Sequence, residues 1–91
     1  MEAFRIVRAI LREVIDPKKV VMRDAESYCA ILFDDNNRKP ICRLRFNSSS
    51  KMSLGLFDEK EEKIIQIGDL SDIYKYVDQL KKTTASYIEQ N

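Results

Sequence analysis

The chain has 91 residues, 44% of them hydrophobic and 34% charged, a composition that predicts one folded domain over residues 1–91. Its 16 Lys and Arg nearly balance 15 Asp and Glu, so attraction to a polyanion would require local segregation of charge. The chain contains no histidine, which excludes histidine-based acid–base catalysis, Ser-His and Cys-His dyads, and zinc sites that use histidine.

The cysteines and the distribution of apolar residues indicate the compartment. Cys29 and Cys42 lie in apolar runs and are too few for an all-thiolate zinc site, so we expect buried free thiols and no metal or other cofactor. A disulfide between adjacent strands is the alternative. No apolar run approaches the ~20 residues that span a bilayer, and charges interrupt the N-terminal segment, unlike a signal peptide. These features predict a cytoplasmic protein without membrane contact.

The first predicted element is an amphipathic helix over residues 2–16, whose apolar residues recur at three- and four-residue steps. A separate stripe at the same spacing consists of Arg5, Arg8 and Arg12. The acidic residues beside that stripe, which we expect to neutralise it, are Glu2, Glu13 and Asp16. The helix should end at Asp16-Pro17, because proline disfavours helical geometry in the preceding residue.

Four or five short strands follow, separated by clusters of turn-forming residues. They are predicted at residues 20–23, 27–33, 39–46, 51–57 and 63–67. Apolar and polar residues alternate in the third strand, so Cys42, Leu44 and Phe46 should face inward and Arg43 and Arg45 outward. No crossover helix separates the strands, which predicts an antiparallel meander.

A second, longer helix is predicted to begin at Gly68-Asp69. Asp69 can cap its N-terminus, and Asp72 lies three residues later, where negative charge suits the helix dipole. The order of elements therefore predicts an α+β fold: an N-terminal helix, a four- to five-stranded antiparallel meander sheet and a C-terminal helix. Such a fold has two layers, with both helices on one face of the sheet.

Two acidic patterns in the sequence bear on catalysis. The nuclease-type tripeptide (Asp/Glu)-x-Lys, in which acids hold a divalent metal, occurs at 58–60 and 61–63, with Asp34 or Asp35 upstream. Both copies lie in or beside a predicted turn, which fixes ligands poorly, so a solvated hairpin tip is the preferred interpretation. The acidic turn at 34–37 does not fit the spacing of a calcium-binding loop. We predict no catalytic residue in this chain.

A basic segment supplies the candidate binding site. The five cations between residues 36 and 57, where no acid occurs, are the candidate nucleic-acid-binding residues Arg38, Lys39, Arg43, Arg45 and Lys51. On one face of a hairpin, Arg43, Arg45 and Lys51 would bind phosphates through charge-assisted hydrogen bonds. Aromatic residues that could share that face are few, Tyr28 and Phe57, so recognition of single strands is poorly supported.

Two other interpretations remain open for this surface. The arginines and lysines of a sheet face can be merely solvated and discourage edge-to-edge association. Alternatively, an apolar residue on the outer face of the sheet, Ile41, forms a contact with another domain or subunit, together with residues at the margins of the second helix, Tyr74, Tyr76 and Ile88.

The run RAILREVIDPKKVVMRDAESYCAILFDDNNRKPICRLRFN, followed by GLFDE and LSDIYKYVDQLKKT, resembles the C-terminal region of predicted restriction endonuclease-like proteins. These are bacterial and archaeal proteins of the type I restriction subunit R-like or type IV-like kinds. The resemblance covers almost all of residues 5–83 and is most specific at 34–43 and 72–76. It implies DNA as the eventual substrate, a role in prokaryotic defence and a nuclease domain upstream. It carries no catalytic residue onto this chain.

The combined expectation is a non-catalytic accessory domain that assists DNA engagement through a basic sheet face. The alternative is a structural module that forms a homodimer or docks onto the upstream nuclease domain.

Overall fold

The computed structural model describes residues 2–48, 51–59 and 61–89, and only the backbone of Asn47, Ser48 and Lys51. Two α-helices, two 3-10 helices and five strands occur in the order α1 (Glu2–Leu11), the first 3-10 helix (Pro17–Lys19), β1 (Val20–Asp24), β2 (Cys29–Phe33), β3 (Pro40–Ser48), β4 (Lys51–Asp58), β5 (Glu61–Ile67), the second 3-10 helix (Leu70–Tyr76) and α2 (Val77–Glu89). The predicted α+β fold is confirmed.

The sheet is an open antiparallel meander in which each strand pairs with the next along the chain. Leu44 and Leu54 face each other across β3 and β4, and both are buried. The same core receives Val7 and Leu11 from α1 and Leu80 from α2. Both helices therefore pack on one face of the sheet, and none of the described helices covers the other face.

The first helix is shorter than its periodicity predicts. It ends at Leu11, whose carbonyl oxygen accepts from the N–H groups of both Val14 (2.8 Å) and Ile15 (3.0 Å) as the chain tightens into a turn. Asp16 then caps the first 3-10 helix by accepting a hydrogen bond from the Lys18 N–H at 2.9 Å. Val14 and Ile15 are half-buried in this turn, so the apolar pattern continues where the helix does not.

The second helical segment begins with the predicted cap. Asp69 accepts from the Ser71 N–H at 2.8 Å, while Asp72 accepts from the Gly68 N–H at 2.9 Å and lies 3.3 Å from the Asp69 nitrogen. The first seven residues form a 3-10 helix, and regular α-helix starts at Val77.

The expectation that Ile41 lies on the outer face is wrong. The β2–β3 register shifts so that Ile31 pairs with Cys42 and Leu32 pairs with Pro40, which leaves Ile41 as an extra residue. A bulge of this kind re-aims its side chain. Ile41 is fully buried and belongs to the core.

Candidate nucleic-acid interface

Strand β3 presents Arg43 and Arg45 on the face of the sheet that carries no helix, as their alternation with buried Cys42 and Leu44 predicts. Their guanidinium groups lie over aromatic rings. The Arg43 Cζ is 4.9 Å from the centroid of Tyr28 and 5.3 Å from that of Phe57, and the Arg45 Cζ is 5.5 Å from Tyr28. The expected aromatic residues thus share this face, with their rings covered by arginine.

Both arginines converge on one carboxylate. Arg45 donates from Nη1 to Glu62 Oε2 at 2.7 Å and from Nη2 to Oε1 at 3.2 Å, and Arg43 donates from Nη1 to Oε1 at 3.3 Å. Hydrogen bonding and charge from Arg45, assisted by Arg43, lower the pKa of Glu62 from its ordinary value. We call Arg43, Arg45 and Glu62 the sheet-face clamp.

Gly55 makes room for the sheet-face clamp. It lies opposite Arg43 in β4, and a Cβ at this position would overlap Glu62 Oε2 and lie 2.9 Å from Arg45 Nη1. A glycine that weakens a strand often marks such a close approach. The clamp therefore depends on a residue without a side chain.

Arg43 uses few of its hydrogen-bond donors within the described residues. Its Nε is buried and has no acceptor there, and its single ion pair is the longer of the two in the clamp. Two guanidinium groups share one carboxylate, so the site carries a formal charge of +1. The arginines predicted to meet a polyanion are therefore already engaged by an acid that sequence reasoning did not connect with them.

The other predicted residues lie away from the sheet-face clamp. Arg38 is exposed in the β2–β3 turn, where its N–H donates to Asn36 Oδ1 at 2.9 Å. Lys39 is half-buried in the same turn, with its Nζ 5.4 Å from the centroid of Phe33. Lys51 begins β4 at the opposite end of β3, but its side chain lies outside the described residues. Among the described side chains, Arg43 and Arg45 form the sheet-face clamp, whereas Arg38 and Lys39 lie in the β2–β3 turn.

The arginine stripe forms no ion pair with the acids expected to neutralise it in the described residues, although charge still acts between them: Lys81, and to a smaller extent Arg12, lower the pKa of Glu13. Glu13 accepts from Lys81 Nζ at 2.7 Å, and the Asp16 carboxylate caps the first 3-10 helix. In the part of the chain that the structure describes, no ion pair involves the stripe, whose members Arg5, Arg8 and Arg12 are all exposed. Arg8 also lies over the Phe4 ring at 5.4 Å.

This stripe continues onto neighbouring elements. Its three arginines line a surface depression of about 190 Å³ with Ala9 and Pro17, and the exposed Lys18 and Lys19 follow directly. The Lys19 carbonyl accepts from the Asp34 N–H at 2.6 Å, which joins this segment to the turn containing Arg38. We call this surface the basic edge, formed by Arg5, Arg8, Arg12, Lys18, Lys19 and Arg38.

Two carboxylates lie at the end of the basic edge. Asp35 is bound to Arg23 in a forked ion pair, with both contacts at 2.6 Å, and hydrogen bonding from this arginine lowers the pKa of Asp35. Asp34 is exposed with a φ of 57° and makes no ion pair within the described residues. Asp34 therefore adds an unpaired negative charge to the turn that also contains Arg38.

The nuclease-type tripeptides bring no metal cluster together. Asp58 ends β4, Glu59 follows it with a φ of 52°, Lys60 lies outside the described residues, and the Glu62 carboxylate is held in the sheet-face clamp. Within the residues described, no group of three or more Cys, Asp and Glu side chains is arranged to hold a metal ion.

The residues proposed for a protein contact differ in exposure. Ile41 is buried and Tyr76 packs partly against the core, whereas Tyr74 and Ile88 are 53% and 40% exposed. The exposed Ile64 of β5 was not among the predicted residues, because alternation alone does not distinguish an edge strand.

The described helices include none that is long and apolar enough to cross a membrane. Comparison of the chain with protein-family models, with curated proteins and with solved structures found no match.

Proposed function

We propose that this chain is a non-catalytic accessory domain that engages the backbone of duplex DNA through the basic edge. The proposal takes DNA as the ligand from the resemblance to restriction endonuclease-like proteins. The distribution of charge indicates the binding surface. This surface is α1 and the segment that follows it, and not the sheet face that the sequence predicted.

The observation that carries the proposal is the row of three exposed arginines without a carboxylate partner in the described residues. Arg5 lies in α1, and Arg12 directly follows its last residue with its N–H still bonded to the Arg8 carbonyl at 3.0 Å. Seven residues at helical rise extend about 10 Å, which spans several phosphates of a duplex. Arginine presents its donors in a planar fork that matches phosphate oxygens. The arrangement therefore suits contacts to the DNA backbone without base recognition.

A salt titration of duplex binding by fluorescence anisotropy tests the proposal. The Arg8→Gln/Arg12→Gln variant should weaken binding and reduce the slope of log K against log salt by about 2, since each phosphate contact contributes about 0.9. The matched control is Lys63→Gln/Lys82→Gln, which removes the same charge from two exposed lysines outside the basic edge.

Comparing the arginine variant with the lysine control distinguishes binding at the basic edge from a general effect of net charge. The proposal requires the control to keep the parental slope. Equal losses in both variants, or no salt-dependent binding by the parent, would contradict it.

Docking to a nuclease domain or a second copy is the other candidate, and the exposed Tyr74 favours it. Tyr74 borders a depression of about 250 Å³ between α1 and α2, together with Ile10 and Val77. A concentration-dependent dimer in sedimentation velocity that Tyr74→Ser abolishes and Arg8→Gln/Arg12→Gln leaves intact would support this function.

A further inference from the structure

The sheet-face clamp has the geometry of an occupied anion site. Three N–H groups from Arg43 and Arg45 point at the two oxygens of one carboxylate, at 2.7 to 3.3 Å. Tyr28 and Phe57 hold the guanidinium groups from below. Arginine pairs bind phosphate oxygens with the same convergent donors that bind a carboxylate.

The occupant of this site comes from an edge of the sheet. Glu62 lies on β5, which pairs only with β4 among the described strands, and its side chain reaches back over Gly55 to β3. The clamp also has more positive than negative charge, and the Arg43 Nε has no acceptor in the described part of the chain. One carboxylate thus leaves the two arginines incompletely satisfied.

We propose that Arg43 and Arg45 form a second site for a backbone phosphate, which Glu62 occupies in the unbound protein as an intramolecular competitor. The inference rests on the proposed function, because it takes the same DNA backbone as the ligand. The arginines of the basic edge lie on α1 and directly after it, and α1 packs on the face of the sheet opposite Arg43 and Arg45. The second site therefore contacts a different DNA segment from the basic edge.

Competition by a tethered carboxylate sets the expected effect. If the clamp is open in about 1–10% of molecules, removal of Glu62 raises the apparent affinity of this site about 10- to 100-fold. Two newly available arginines should also steepen the salt slope by about 2.

The experiment is anisotropy of duplex binding by Glu62→Gln, placed in the Arg8→Gln/Arg12→Gln background so that the basic edge does not mask the second site. The control is Glu61→Gln, which changes the same charge at the neighbouring exposed residue, for which no ion pair occurs in the described residues. Glu62→Gln should tighten binding, Glu61→Gln should not, and adding Arg43→Gln should reverse the gain.

A second variant opens the clamp without any change in charge. In Gly55→Ala the new Cβ would displace the Glu62 carboxylate and shift Arg45 Nη1, both of which are the mobile ends of long side chains. Circular dichroism establishes that each variant is folded. Gly55→Ala should bind duplex more tightly than its parent, by less than Glu62→Gln does.

The outcomes are distinguishable from those for the basic edge. If folded Glu62→Gln matches Glu61→Gln, or folded Gly55→Ala matches its parent, the second site is disproved whatever the basic edge does. If Arg8→Gln/Arg12→Gln leaves the parental salt slope unchanged while Glu62→Gln tightens binding, the basic edge fails and the sheet face remains.

Discussion

At the scale of single residues, Gly55 and Glu62 together determine the ion pairing of Arg43 and Arg45. Because Gly55 has no side chain, the Glu62 side chain can cross the face of β4. Its carboxylate then forms ion pairs with both guanidinium groups. The side chains are only 18–32% exposed, so their ion pairs are screened less than surface pairs are. A patch that looks basic in the sequence is thereby partly neutralised in the fold and keeps a formal charge of +1.

The lowered pKa of Glu62 predicts a specific acid sensitivity. Because Arg45 and Arg43 lower the pKa of Glu62 in the folded protein below its ordinary value of 4.5, the folded state binds this proton less readily than the unfolded chain. The resulting stabilisation is present above pH 4.5 and is lost as pH falls through the folded pKa. In urea denaturation at several pH values, Glu62→Gln should lack this part of the acid-side decline, whereas Glu61→Gln should keep it. An identical pH profile for Glu62→Gln and the parent would contradict the assignment.

The two cysteines give a second prediction at this scale. Both are free and buried, as expected; burial raises the pKa of Cys42 and raises that of Cys29 to about 11. A thiol reagent reacts with an accessible, deprotonated thiol. In the native fold both thiols are buried, and their raised pKa values keep them protonated. At pH 8 we expect neither thiol to react rapidly with Ellman's reagent in the native protein, and both to react in denaturant. Rapid reaction of one equivalent in the native state would contradict this burial.

At the scale of elements, the strands β3 and β4 show how one pairing serves both faces of the sheet. Leu44 opposite Leu54 fills the core, while Arg43 opposite Gly55 builds the clamp on the other side. Because side chains alternate between faces, a shift of register by one residue would exchange the two sets. Packing of the leucines under α1 and α2 therefore also positions the arginines.

Truncation of this leucine pair measures that contribution. Leu54→Ala should reduce the free energy of unfolding by about 2–5 kcal/mol, since Leu54 is fully buried and its loss leaves a cavity. Ser53→Ala, at the neighbouring half-buried position, should change it by less than about 1 kcal/mol. Chemical denaturation followed by circular dichroism gives both values. Similar losses for the two variants would show that Leu54 does not support the core as described.

Helix α2 illustrates how polar side chains join the layers. Thr83 and Gln79 donate to the Phe57 carbonyl at 2.6 and 2.8 Å, and the Tyr87 hydroxyl donates to the Pro40 carbonyl at 2.6 Å. These bonds satisfy carbonyls at the same end of β3 and β4. They hold α2 at the end of the sheet where the β2–β3 turn and Arg38 also lie.

At the scale of the whole molecule, positive charge is concentrated although the net charge is only +1. Several acids are engaged by cations elsewhere in the fold, as Glu13, Asp35 and Glu62 show. The basic edge brings together six cations, and Asp34 lies beside it without an ion pair in the described residues. A surface of this kind attracts a polyanion even when the total charge does not.

If the basic edge binds DNA as proposed, removal of that acid should strengthen the binding. Asp34→Asn should increase duplex affinity about two- to fivefold at low salt, the size expected for one exposed charge, and asparagine tolerates the positive φ found here. Glu26→Gln, in the β1–β2 connection, is the charge-matched control and should have a smaller effect. Anisotropy titrations of both variants decide between them. An equal gain from Glu26→Gln would indicate that overall charge, and not the basic edge, governs binding.

The sequence alone determined the fold class, the meander order, the capping box at Asp69 and the burial of both cysteines. These features depend on local properties: alternation of polarity, turn-forming residues and the absence of crossover helices. The end of α1 at Leu11 and the bulge at Ile41 were not predicted. Apolar periodicity does not show where a helix tightens into a turn or where a strand contains an extra, unpaired residue.

Only the tertiary structure decided which charges are paired. Glu62 lies 17 and 19 residues from its two arginines, and Glu13 lies 68 residues from Lys81. Such partners meet through strand register and helix packing, which long-range contacts set and local patterns do not encode. For this reason the arginine row on the sheet, prominent in the sequence, is occupied by an acid, whereas the row on α1 is left exposed to solvent.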